Sequence, residues 1–123
     1  MILLDDFFTL IQRDSSPGVV KAKLSINKAH RIFQGHFPGL PVVPGVCMLQ
    51  MVREIMEVHL DRSLDITASD NMKFLSVINP DQNAEVDAAI NYIEEANIVS
   101  INATLFAGTT TFFKLKATLQ AAK

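Results

Sequence analysis

The sequence predicts an α+β fold in which an antiparallel sheet packs against one long helix. Three observations carry this: residues 46–60 contain no Gly or Pro and many apolar residues, four segments of alternating polarity follow, and turn residues separate them. At 123 residues the chain fits a single domain, 1–123, with one core.

The elements follow in order. Leu3, Leu4, Phe7, Phe8 and Ile11 recur at three- and four-residue intervals, which predicts a short helix over 3–11 before a turn at Ser15-Ser16-Pro17-Gly18. In Val19–Ile26, Val20, Ala22, Leu24 and Ile26 alternate with Lys21, Lys23 and Ser25, the period of a half-buried strand. Residues 35–46 hold three prolines and three glycines yet also Phe37, Leu40, Val42, Val43 and Val46, so they read as a buried, rigid loop that fixes His36 in place. Pro44 suits the first turn of the helix that follows, where its missing N–H is harmless. That helix keeps Val46, Leu49, Val52, Met56 and Leu60 near one face. Strands are then predicted over 71–77, 83–94, 97–106 and 109–120, with turns at Asn79-Pro80-Asp81 and at Gly108.

Bulk properties narrow the function. A net charge of -2, from 11 basic and 13 acidic residues without a basic stripe, argues against nucleic acid. Asp5 and Asp6 interrupt the apolar start and no apolar run reaches ~18 residues, so the expectation is a cytoplasmic protein without a membrane partner. A lone Cys47 gives neither a disulfide framework nor a metal-ligand cluster. With 49% apolar residues in so short a chain, part of the apolar surface is expected in a subunit interface.

The stretch Phe33-Gln34-Gly35-His36-Phe37-Pro38-Gly39-Leu40-Pro41-Val42-Val43-Pro44-Gly45-Val46 resembles the β-hydroxyacyl-acyl-carrier-protein dehydratases of fatty-acid synthesis. Residues 71–82 resemble that family's central strand and its proline turn. The resemblance implies a hot-dog fold, with the sheet wrapped around the central helix, and a dimer or a larger assembly of dimers with an acyl tunnel at its interface. It implies no cofactor, the substrate being a 3-hydroxyacyl thioester carried on the phosphopantetheine of an acyl carrier protein.

Site residues carry over position by position. His36 falls on the base that removes the α-proton, a task that suits an imidazole of ordinary pKa ~6.5; a plain loop-capping histidine is the alternative. Gly45, aided by Val46, falls on the backbone N–H that holds the thioester carbonyl at the helix start, where the N–H groups lack internal acceptors and the dipole is positive. Phe33, Phe37, Met51 and Phe74 fall on the walls of the acyl tunnel, together with Val46.

The acid of the family, contributed across the dimer interface fourteen residues after the histidine, is replaced by Gln50. An amide donates a hydrogen bond but not a proton. Glu54, one turn on, is the nearest carboxylate on that face, although Gln50, Glu54, Glu57 and Asp61 also fit a solvated stripe. Cys47 reads as a small buried apolar residue rather than a nucleophile, and His30 and His59 as surface residues; Arg31, Arg53 and Lys73 are candidates to meet an acidic carrier protein.

Three functions fit these residues. One is the dehydratase, with His36 as base. Another is a catalytically impaired acyl-binding subunit, or one that forms a heterodimer with a homologue supplying the missing carboxylate. The last is a hot-dog thioesterase.

Overall fold

The computed structural model describes residues 2–34 and 41–122. Six strands form one antiparallel sheet around a single long helix: β1 (Phe8–Ser16), β2 (Val19–Ile26), α1 (Gly45–Leu60), β3 (Leu64–Phe74), β4 (Glu85–Glu95), β5 (Ile98–Ala107) and β6 (Thr110–Ala121). A single 3-10 turn at Arg31–Phe33 lies between β2 and α1. The sheet order is β1-β2-β4-β5-β6-β3, so β1 and β3 are its edges.

The predicted helix over 3–11 is not formed. Residues 3–7 make a tight turn, with Asp5 in the left-handed region (φ 68) and the Phe7 N–H donating to the Leu3 carbonyl. The chain then runs as β1, pairing Phe8 with Ile26. Phe7 and Phe8 are both buried, Phe7 in the turn and Phe8 at the start of the strand. A nine-residue helix is marginal alone, whereas β1 gains a full ladder on β2. The turn between them is tighter than expected, with Ser15 and Ser16 in the strand and only Pro17-Gly18 left to reverse the chain.

The remaining strands stand close to their predicted places, except that β3 begins at Leu64, seven residues before the predicted start. Register shifts between Ile66 and Ala68 and between Ser69 and Asn71 break its alternation, so its first half carries no clean period of two. Gly108 reverses the chain between β5 and β6 with φ 57. Asn79 closes the other predicted turn, its side-chain oxygen accepting from the Asp81 N–H at 2.9 Å.

Helix α1 lies against the inner face of the sheet. Four of its buried positions, Met48, Met51, Val52 and Ile55, have the i, i+3, i+4, i+7 spacing of a core stripe and share one apolar cluster with Leu24, Ile90, Leu105 and Phe113. Val46, placed on the apolar face by sequence, is instead 71% exposed. The helix ends on Asp61, which is left-handed (φ 53) and whose N–H donates to the Glu57 carbonyl.

Candidate active site

The predicted base His36 and the predicted tunnel residue Phe37 lie outside the described residues. The helix start beside them is described. Pro44 is the N-cap of α1 and offers no side-chain cap. Its carbonyl accepts from the Cys47 N–H at 3.0 Å, while the N–H groups of Gly45 and Val46 have no acceptor among the described residues. Two donors at the positive end of the helix therefore face outward.

Gly45 borders an apolar cleft of about 430 Å³ lined also by Val42, Val43, Pro44, Met48, Phe74, Leu75, Ser76 and Val77. One wall is built by the last residues of β3 and the chain just after it. The other is the loop strand that enters α1, tied down by the Val43 N–H donating to the Ile78 carbonyl at 2.9 Å. Phe74 stacks obliquely on Phe113, with centroids 5.1 Å apart. The same ring presses on the α-carbon of Gly45, so close that a Cβ there would stand 2.7 Å from Cε1. A side chain at position 45 would therefore displace the Phe74 ring.

The structure brings Gly45 and Phe74 together and, among the described residues, leaves the other predicted ones outside their cleft. Val46 follows Gly45 but points to solvent. Met51 is fully buried in the core and does not line the cleft. Phe33 packs on Phe7, with centroids 5.5 Å apart. Gln50 lies five residues along α1, about 7.5 Å further down its axis, and does not line this cleft. Val42, Leu75, Ser76 and Val77 were not singled out by sequence. Phe74-Leu75-Ser76-Val77 has no marked alternation, and only the return of β3 toward the helix start shows what it faces.

Around Gln50 the solvated stripe, one of the two readings of Gln50, Glu54, Glu57 and Asp61, gives way at Glu54 and Glu57 to a buried polar network. Glu54 is 0% exposed. Its carboxylate accepts from the Leu4 N–H at 2.8 Å, from the Leu3 N–H at 3.1 Å and from Gln50 Nε2 at 2.7 Å. Glu57 is also buried and accepts from the Leu64 N–H at 2.8 Å. The turn at residues 3–7 and the start of β3 cover this face of the helix, and their backbone donors replace water.

Two histidines placed at the surface by sequence are also engaged. His30 Nδ1 accepts from the Ile32 N–H at 3.0 Å, which leaves the proton on Nε2, 3.1 Å from the Asp6 carboxylate. Its ring meets Phe7 edge-on at 5.3 Å. His59 Nε2 lies 2.9 Å from the Tyr92 hydroxyl. Arg53 donates from Nε to the Leu64 carbonyl at 2.7 Å, bracing the turn into β3. Cys47 is buried, and desolvation pushes its thiol above its ordinary pKa. No described helix is long and apolar enough to cross a membrane.

A six-stranded antiparallel sheet wrapped around one helix is the hot-dog fold, which hot-dog dehydratases share. Within that class the chain belongs to the ApeI-like family, described as ApeI dehydratase, whose model matches residues 12–109. It is also similar to the 3-hydroxyacyl-[acyl-carrier-protein] dehydratase FabZ of Rickettsia bellii, being 31% identical over 81 residues. That match takes in 59% of this chain and 55% of the relative, so the chain spans about half the length of the curated relative it matches.

Solved structures share the fold. The dehydratase heterocomplex ApeI:P from Xenorhabdus doucetiae aligns with a TM-score of 0.72 and 21% identity, over 90% of this chain and 96% of that one. An (R)-hydratase from A. caviae involved in PHA biosynthesis aligns with a TM-score of 0.64 and 11% identity, over 85% and 94%.

Proposed function

We propose that the chain removes water from a 3-hydroxyacyl thioester, delivered by an acyl carrier protein, to give the 2-enoyl thioester. The observation that carries this reading is the apolar cleft at the start of α1, where the Gly45 N–H has no acceptor among the described residues and no Cβ bars the approach. A thioester carbonyl directed there gains stabilisation as negative charge develops on its oxygen. Val42, Met48, Phe74 and Val77 offer the acyl chain an apolar bed.

His36 takes the proton from Cα as the Cα=Cβ bond forms and the Cβ–O bond breaks. Gln50 cannot protonate the departing hydroxide, so His36 returns the same proton to it and water leaves. Gln50 orients the hydroxyl, contributed across a dimer interface, which accords with its absence from the cleft of its own chain.

The interface proposed for a second copy is the β3 edge. Phe74 is 52% exposed and Val77 63%, Val46 at the helix start is exposed as well, and the outer side of β3 meets no other strand among the described residues. Covering this strip closes the cleft into a tunnel.

A second reading is a subunit whose homologous partner supplies the acid. It is favoured by the amide at position 50 and by the engagement of Glu54 elsewhere, and the ApeI:P relative is itself a heterocomplex. The test is hydration of a crotonyl thioester, followed by loss of its enone absorbance, with His36→Ala and a free-thiol assay alongside. Turnover abolished by His36→Ala supports the dehydratase; no turnover by the chain alone refutes it as a self-sufficient enzyme. Thiol release in place of hydration identifies a thioesterase.

A further inference from the structure

We infer that Glu54 is a positioning residue for Gln50: its buried carboxylate fixes the amide so that the carbonyl Oε1 is the acceptor offered to a ligand. The contact stands on geometry alone, and its consequence for turnover rests on the dehydratase reading above. A carboxylate only accepts hydrogen bonds, so the amide must turn Nε2 toward it, as the 2.7 Å contact shows; the opposite flip would set two lone-pair oxygens against each other.

Glu54 is itself held. It accepts from the Leu3 and Leu4 N–H groups, and that turn is locked by the Asp5 N–H on the Phe8 carbonyl and the Phe7 N–H on the Leu3 carbonyl, both at 2.7 Å. No cation pairs with Glu54 among the described residues, so these N–H donors hold the carboxylate in place. The order of constraint runs from the turn at residues 3–7, through Glu54, to Gln50. Such a Gln50 accepts the hydrogen of a β-hydroxyl, or of the water that adds in the reverse reaction, and so aims a lone pair of that oxygen at Cβ.

The arrangement makes two substitutions informative. In Glu54→Gln the new Oε1 keeps the Leu3 and Leu4 donors, its Nε2 faces position 50, and the Gln50 amide must rotate to offer its carbonyl inward. The group shown to the ligand changes from acceptor to donor with little change in packing. In the exchange Gln50→Glu with Glu54→Gln, the contact between positions 50 and 54 is kept with donor and acceptor reversed, Oε1 of position 54 still accepts from Leu3 and Leu4, and an acid stands at position 50.

The experiment uses the full chain labelled with 15N at glutamine. The Gln50 side-chain resonances are assigned by their loss in Gln50→Glu, and crotonyl-pantetheine hydration is measured on the same samples. In the unmodified protein one Nε2 proton is expected downfield and protected from exchange, and in Glu54→Gln it moves upfield. The kcat of Glu54→Gln is expected to fall by about tenfold or more at nearly constant KM, and the exchanged pair to recover it. A Gln50 amide that exchanges freely and ignores Glu54→Gln overturns the inference, as does an unchanged kcat once its resonances have moved. If the resonances move but no variant hydrates the thioester, the clamp stands and the dehydratase reading falls.

Discussion

Gly45→Ala tests the candidate site most directly, because the structure separates its effect on stability from its effect on chemistry. The added Cβ would stand 2.7 Å from Cε1 and 2.9 Å from Cζ of Phe74, about 0.7 Å inside the 3.4 Å at which ordinary contact begins. The ring is half exposed, so it swings outward rather than forcing the helix to move. Leaving Phe113 costs about 0.5–1.5 kcal/mol. Ala in place of Gly at a helical position returns up to about 1 kcal/mol. The net change in stability is then within about 1 kcal/mol, or within about 4 °C in Tm for a chain of this size. Turnover is a different matter, because the methyl group occupies the path by which a carbonyl reaches the N–H groups at the helix start. Loss of such a donor lowers kcat about 100-fold or more.

The assays are thermal unfolding and crotonyl thioester hydration on the same preparation, repeated in a Phe74→Ala background. There the ring is gone, so Gly45→Ala should stabilise by about 1 kcal/mol more than in the unmodified chain, while the loss of turnover persists. A folded Gly45→Ala protein with turnover within about twofold of the unmodified one would refute the role given to this helix start. Simple additivity of the two stability changes would refute the packing argument.

Further outcomes are expected. Gly18 has φ 74 and a Cβ there would meet the Tyr92 carbonyl at 3.2 Å, whereas Gly108 has φ 57 in open space. Urea unfolding should therefore show Gly18→Ala losing about 2 kcal/mol and Gly108→Ala about 1 kcal/mol. The Cys47 thiol, buried and raised by desolvation, should resist a disulfide exchange reagent at pH 8 in the folded protein and react at once in denaturant; fast native reaction contradicts its placement. Val77→Lys puts a charge in the proposed subunit contact, and sedimentation should show a shift from dimer to monomer with Tm changed by less than about 4 °C. A monomeric unmodified chain would instead remove the basis for that interface.

The sequence by itself determined what short-range chemistry fixes. A stretch behind Pro44 free of Gly and Pro and rich in apolar residues read as the long helix, β2 was legible from its alternation, and Gly108 marked its hairpin because few other residue types take a positive φ. The histidine motif is likewise a local pattern, and it pointed to the dehydratase family whose model then matched residues 12–109.

What tertiary structure decided depends on neighbours distant in sequence. Residues 8–11 have a helical spacing but become strand because β2 offers a ladder, and β3 is obscured by two register shifts that only its pairing with β6 reveals. Glu54 and Glu57 read as surface residues because charge predicts exposure. They are buried because backbone N–H groups from Leu3, Leu4 and Leu64 arrive to replace water, an event with no local signature. The contact between Gly45 and Phe74 spans 29 positions and exists only because β3 returns along the helix start. Periodicity records which side of an element is apolar, and the packing of elements decides what that side touches.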